Sequence, residues 1–312
     1  MSTASSKKVI YAALVGNTLI AITKFTASVI TGSSAMLSEA IHSLVDTGNQ
    51  GLLLHGLKRA EKPADKDFPF GYGKEVYFWS FVVAILIFAL GSGISIYAGI
   101  RHILEPEPIT NPMVNYIVLG LALIFEGVAW YMALQEFRKS KGQWGYFKAV
   151  QRAKDPSVFV VLFEDSAALL GLIIAFLGVF LAQVTGILWF DGLASVIIGL
   201  ILGSTAIWLV IETKGLLIGE SANSEVNQAI HQIAASYPGI EHVNEVLTLH
   251  MGPGFILVNI SIDFVDQVSA AEVEQTIAAI DIEIKERNPL VKRVFIEAES
   301  RRIFTNKSGV VD

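Results

Sequence analysis

Hydrophobic residues run through most of this chain in long blocks. Apolar stretches near the ~20 residues needed to cross a bilayer fall at roughly 9–31, 33–57, 76–100, 113–135, 157–182 and 191–213. This pattern predicts six membrane-spanning helices. After about Gly219 the period changes. Asn223 or Ser224 can cap a helix whose Val226, Ile230 and Ile233 share one face, stopped by Pro238-Gly239. Two strand-like runs follow, near Val243–Met251 and Phe255–Phe264, separated by Gly252-Pro253-Gly254. In the second, Ile256, Val258, Ile260 and Ile262 alternate with Asn259, Ser261 and Asp263, as in a half-buried strand. Ser269 and Glu272 form a capping box before a helix with Val273, Ile277, Ile280 and Ile284 on one face, and a last strand is predicted near Val291–Ala298. The expected fold is a six-helix transmembrane bundle over 1–215, a carboxy-terminal α+β domain of order αββαβ over 216–304, and a flexible tail over 305–312.

Basic residues orient the bundle through the positive-inside rule. The second-to-third connection carries Lys58, Arg59, Lys62, Lys66 and Lys74, and the fourth-to-fifth carries Arg138, Lys139, Lys141, Lys148, Arg152 and Lys154. The third-to-fourth connection has Arg101 at its edge with Glu105 and Glu107, and the remaining two turns have no basic residue. Both termini are therefore expected in the cytoplasm. Met1 to Ser6, followed by Lys7 and Lys8, lack the pattern of a cleavable signal peptide, and the first apolar run is read as a retained span. The expected location is a bacterial cytoplasmic membrane, with an organellar membrane as the alternative. Of 312 residues 53% are hydrophobic and 17% charged, with a mean hydropathy of +0.54, too apolar for an ordinary soluble protein. The absence of cysteine excludes disulfides, thiolate metal sites and cysteine nucleophiles. A net charge of −6 argues against nucleic acid as a partner.

Polar clusters inside the apolar blocks carry the chemistry. In Ser38-Glu39-Ala40-Ile41-His42-Ser43-Leu44-Val45-Asp46, His42 and Asp46 lie four residues apart on one helix face and can grip one cation. Glu164-Asp165 is a second cluster, in the fifth span. Ionisable side chains at membrane depth are costly and mark an ion or substrate pathway by default. By helical rise, Asp46 and Asp165 fall at roughly 20–25 Å from the outer ends of their spans, with Asn17 and Glu126 at a similar level. Ser38, Asn17 and Glu126 are candidates for outer-shell or proton-coupling roles, against a plain packing role for Ser38 and a neutral interhelical hydrogen bond for Glu126. Lys24 is expected to snorkel or pair. His55 and His102 are expected at span ends, His231, His242 and His250 at surface or strand positions, and Asp191 as a helix cap.

Six spans, a His-x-x-x-Asp in span two, an Asp in span five and the αββαβ ending together resemble the cation diffusion facilitator family. Specific marks are Ser34–Asp46, Phe70-Gly71-Tyr72-Gly73-Lys74-Glu75, Glu164–Gly171 and Asp191-Gly192-Leu193-Ala194-Ser195. The resemblance implies a homodimeric secondary transporter that moves divalent metal, most often zinc, out of the cytosol against protons, with no enzymatic activity and no permanently bound cofactor. It also implies a metallochaperone-like, cytoplasmic dimerisation domain. The family's span-five pair is spaced i, i+4, which here gives Val161 and Asp165; valine cannot bind metal, and Glu164 stands beside Asp165 instead. The usual histidine-rich loop reads Asp65-Lys66-Asp67-Phe68-Pro69-Phe70-Gly71-Tyr72. A charge interlock at Lys74 finds Ile218 at its usual partner position, leaving Glu220 as the nearest acid.

One imidazole with two or three carboxylates suits zinc and leaves manganese, iron(II) and cobalt open. A membrane-anchored metal sensor or scaffold is the competing class. An intramembrane hydrolase would need Ser43 beside His42, and neighbouring helix positions point apart.

Overall fold

The computed structural model describes residues 3–141 and 156–308, with 143, 145 and 149 between them; side chains are described from Asn17 onward except at 136, 139–142, 157, 158 and 306–308. Lys148, Arg152, Lys154, Trp144 and residues 309–312 lie outside the described residues, as do the side chains of Lys7, Lys8, Lys139 and Lys141. The chain divides into two compact units, Met1–Arg59 with Val76–Lys214, and Ala60–Glu75 with Gly215–Asp312.

Long helices build the first unit: α1 (Thr3–Thr31), α2 (Ser34–Ala60), α3 (Glu75–Leu86), α4 (Gly93–Leu104), α5 (Pro112–Lys141), α6 (Pro156–Thr185) and α7 (Trp189–Ile218). A six-residue π-helical segment, Ile87–Ser92, joins α3 to α4. Among the described residues four stretches are long and apolar enough to cross a membrane: Glu75–Leu104, Pro112–Gln135, Phe159–Thr185 and Trp189–Ile218. The two helices before them are 29 and 27 residues long but carry more polar residues. Apolar side chains also cover much of the outside of the unit, among them Val29, Ile124, Phe125 and Met132. A bilayer accommodates such a surface, whereas in water it would be an aggregation liability.

The turn between α1 and α2 is set by Gly32, at φ +70°, whose N–H returns to the Ser28 carbonyl at 2.9 Å. That left-handed conformation is the usual way to end a helix, and glycine adopts it without a Cβ penalty. Asp191, at the start of α7, then caps α2 rather than its own helix. It accepts from Ser33 Oγ at 2.6 Å and from the backbone N–H groups of Ser34 and Ala35 at 2.5 and 3.3 Å. Residues 157 positions apart thus supply the acceptor that the first turn of α2 needs.

In the second unit α8 (Ser224–Ala235), β1 (Ile240–Gly252), β2 (Phe255–Phe264), α9 (Ala270–Arg287), β3 (Val291–Ala298) and α10 (Arg301–Ser308) follow in order. The sheet runs β1-β2-β3, with β1 antiparallel and β3 parallel to the central β2. Ile256, Val258, Ile260 and Ile262 of β2 are buried against Ile230 and Ile233 of α8 and Ile280 and Ile284 of α9. The capping box is present, Ser269 Oγ accepting the Glu272 N–H while Glu272 accepts the Ser269 N–H at 2.8 Å. Ser269 Oγ also donates to the Glu272 carboxylate at 2.7 Å. This bond first, and the Ser269 N–H second, hold the exposed Glu272 carboxyl below its ordinary pKa, so the cap is fully formed above the usual glutamate range and is lost as pH falls through the lowered value.

Two expectations change here. Residues 305–308, read as part of a loose tail, continue helix α10. Asp263 Oδ2 accepts the Arg301 N–H at 2.9 Å, and the Ser300 carbonyl receives the N–H groups of Ile303 and Phe304. A cap from a distant strand thus starts a short, polar helix whose apolar residues are Ile303 and Phe304. The stretch 60–75, expected to be a connection within the membrane domain, groups with the carboxy-terminal unit. Gly73 lies so close to the Met251 carbonyl that a Cβ there would overlap it, and the Phe70 ring meets Phe295 edge-on at 6.5 Å.

Ile260 is fully buried and Ile282 is 57% exposed. Ile260→Ala should therefore cost about 2–5 kcal/mol in denaturant unfolding of the carboxy-terminal unit, while Ile282→Ala should cost well under 1 kcal/mol. Equal losses would place the core elsewhere.

Candidate metal site

His42 and Asp46 lie one turn apart on α2, with Asn49 three residues further along the same face. The His42 side chain is 1% exposed, and its Nδ1 lies 3.2 Å from Asp46 Oδ1. The atoms are close but not aligned for a hydrogen bond, so both imidazole nitrogens and Asp46 Oδ1 are buried without a hydrogen-bond partner. Buried polar atoms are nearly always satisfied, and exceptions call for an explanation.

From α6, Glu164 is buried and accepts a 2.6 Å hydrogen bond from Asn49 Nδ2. Its carboxyl also lies within hydrogen-bonding reach of Asp46. Asp165 and Val161 are half-buried. Of the adjacent acidic pair, Glu164 is therefore the one that meets α2, as a step of about 100° between neighbouring helix positions requires. Among the described residues no group of three or more His, Asp or Glu side chains is already gathered tightly enough to hold an ion. What stands together is a chain of pairwise contacts: His42 to Asp46, Asp46 to Glu164, and Glu164 to Asn49.

The other candidates separate. Ser38 shares a short hydroxyl contact with Ser195, which donates to the Ser95 carbonyl at 2.9 Å, linking α2 to α7 and α4. Asn17 is half-exposed on α1. Glu126 accepts from Lys24 Nζ at 2.8 Å and is ion-paired, which neither of its sequence-based readings anticipated. Lys24 pairs and does not snorkel: it is fully buried, and Glu39 and Ser43 complete its partners. His102 is also buried, with Nε2 3.8 Å from Asp191 Oδ2, instead of lying at the interface, while His55 is exposed with its ring against Trp79. Asn49 and Glu39 were the residues that sequence reasoning passed over. Asn49, at i+7 from His42, carried a usable signal in its spacing.

In the carboxy-terminal unit Lys74 Nζ donates to the Leu217 carbonyl at 3.5 Å, beside Gly219. In the same unit, Asp65 is held by hydrogen bonds within the 65–72 loop. It accepts from Tyr72 Oη at 2.7 Å and from the backbone N–H groups of Asp67 and Phe68, and the tyrosine bond foremost holds its carboxyl below the usual aspartate value.

Residues 10–218 match the family described as cation efflux transmembrane domain. The chain is 35% identical over 259 residues to the proton-coupled zinc antiporter SLC30A9, mitochondrial, of Mus musculus, covering 82% of this chain and 46% of the relative. It is 29% identical over 265 residues to metal tolerance protein C4 of Arabidopsis thaliana, covering 84% and 58%. It is 23% identical over 299 residues to an uncharacterised transporter of Methanocaldococcus jannaschii, covering 94% and 98%. The chain spans about half the length of the SLC30A9 relatives it matches. With that domain over most of its length and apolar helices of spanning length within it, the chain belongs to the cation efflux family of integral, multi-pass membrane transporters.

Proposed function

We propose that this chain exports a divalent cation, zinc foremost, from the cytosol in exchange for protons, and that His42, Asp46, Glu164 and Asp165 hold the ion in transit. The observation that carries the reading is the set of buried, hydrogen-bond-free donor atoms on His42 and Asp46, in line with the Glu164 carboxyl. One imidazole with carboxylates is a donor set for zinc, and the added oxygens keep manganese, iron(II) and cobalt as alternatives. The mouse relative is named a proton-coupled zinc antiporter, which favours zinc. In this reading a small closure of α6 onto α2 gathers the pairwise contacts around the cargo. Ligands must shed protons to bind metal, so protons arriving from the outer side compete for the same atoms and release it. No permanently bound cofactor is needed.

The same reading makes α1 and α2 the first two of six spans. At ~1.5 Å per residue, 29 and 27 residues are long enough to cross, and Lys24, Glu39 and His42 within them are buried inside the unit. Both termini then face the cytosol. The α8-β1-β2-α9-β3 unit serves as a dimerisation domain, so the working form is a homodimer, in a bacterial cytoplasmic membrane or an organelle such as the mitochondrion named for the mouse relative. A membrane-anchored sensor is disfavoured, because the donor atoms without partners concentrate in the helical unit.

His42→Ala and Asp46→Ala should each abolish zinc flux in reconstituted vesicles while leaving elution volume and melting temperature near those of the parent. Parent-like flux in either variant removes both residues from the pathway.

If Glu164 supplies the ligand that Val161 lacks, Glu164→Gln should weaken equilibrium zinc binding at least tenfold, nearly as much as Asp165→Asn, with Val161→Ala mild. Unchanged affinity in Glu164→Gln would return that residue to packing. Val161→His should shift preference toward zinc over manganese.

Lys74 and Glu220 are expected to form an interlock within the carboxy-terminal unit. Because the chain has no cysteine, the double variant Lys74→Cys/Glu220→Cys should crosslink cleanly. No crosslink in any metal or pH condition would exclude the pairing.

A further inference from the structure

Lys24 is fully buried in the helical unit, and the transport chemistry above makes no use of it. Its ammonium has three oxygen partners on two other helices. Glu39 Oε2 at 3.1 Å and Ser43 Oγ at 2.8 Å belong to α2, and Glu126 Oε1 at 2.8 Å belongs to α5. The second oxygens, Glu39 Oε1 and Glu126 Oε2, are buried and accept no hydrogen bond. Gly171 of α6 makes room for Glu39, since a Cβ at 171 would overlap Glu39 Oε1. Glu39 lies three residues before His42 and Ser43 directly after it, so the cluster is within about one helical turn, ~5 Å, of the imidazole.

An interhelical clamp needs one carboxylate per ammonium. Here two carboxylates and a hydroxyl surround one ammonium, with two carboxylate oxygens to spare. Oxygen donors with paired carboxylates are what hard divalent cations prefer, and the position already holds a positive charge on a flexible stem.

We propose that Lys24 is a tethered cation occupying a second divalent-metal position formed by Glu39, Ser43 and Glu126, and that its ammonium limits the pathway to one metal per chain at a time. Removing the ammonium while keeping both carboxylates leaves uncompensated charge in a dry interior, a costly arrangement that a divalent cation relieves.

The test counts Mn²⁺ equivalents by calorimetry on the purified full chain, with Lys24→Met made both alone and on a His42→Ala/Asp46→Ala background. Lys24→Met should bind one more equivalent than its Lys24 counterpart on either background. Adding Glu39→Gln and Glu126→Gln should abolish the extra equivalent. Since only the difference is read, loss of the His42–Asp46 site changes the baseline and leaves this result standing. Should Lys24→Met fold poorly, Mn²⁺ should raise its melting temperature by several degrees and leave the Lys24→Met/Glu39→Gln/Glu126→Gln variant unmoved. A folded Lys24→Met that binds no additional Mn²⁺ would overturn the proposal. So would a Lys24→Met that misfolds with and without Mn²⁺ while the triple variant folds.

Discussion

An ionised carboxylate cannot be left alone inside a membrane protein, because desolvation costs more than the fold can spare. Two neighbouring answers to that condition organise the helical unit. Around Glu39 and Glu126 the answer is permanent, a lysine ammonium delivered from α1. Around Asp46 and Glu164 it is provisional: an asparagine amide, a poorly aligned imidazole contact and a carboxyl neighbour. The first arrangement has its own cation, although Glu39 Oε1 and Glu126 Oε2 still accept no hydrogen bond. The second leaves donor atoms unsatisfied, and an exchangeable cation is what such a set can use.

Helix α2 carries both arrangements and so has to be held in register. Its amino-terminal turn is fixed by Asp191 from α7. Ser38 is tied to Ser195, which reaches the Ser95 carbonyl, so α2, α7 and α4 meet through hydroxyls. Gly199 and Gly203 of α7 admit Ser92, at the end of the π-helical segment, at distances no larger side chain would permit. π-Helical turns recur at functional sites, and small residues allow helices to approach and slide. The stiff registration of α2 and the smooth α4–α7 seam suit a bundle in which one group of helices rocks against another.

Much of this was legible in the sequence. Long apolar blocks, the i, i+4 relation of His42 and Asp46, the alternation of β2 and the Ser269–Glu272 box are local patterns, and local patterns survive into the structure. Lys24 with Glu126 is a relation across 102 residues, and Asp191 with Ser34 one across 157. Such pairs depend on which helices neighbour each other, which one chain's periodicity does not encode. The helical course of residues 301–308 was hidden for a different reason, since its start is set by Asp263 from another element. The burial of His102 follows from Asp191 in the same way.

In the proposed reading Glu164 takes over the ligand role that Val161 cannot fill. Moving a donor from position 161 to 164 shifts it three residues along α6, about 4.5 Å of rise, and turns it about 60° around the axis. That places the carboxyl against Asp46 and within reach of Asn49. At that place Glu164 sets a carboxylate and the Asn49 amide beside a single imidazole. Harder donors and a looser cage weaken the preference for strict tetrahedral zinc over six-coordinate ions. Selectivity in the proposed site therefore rests on how tightly α6 can close on α2, a packing property to which Gly171 contributes, since a Cβ there would overlap Glu39 Oε1.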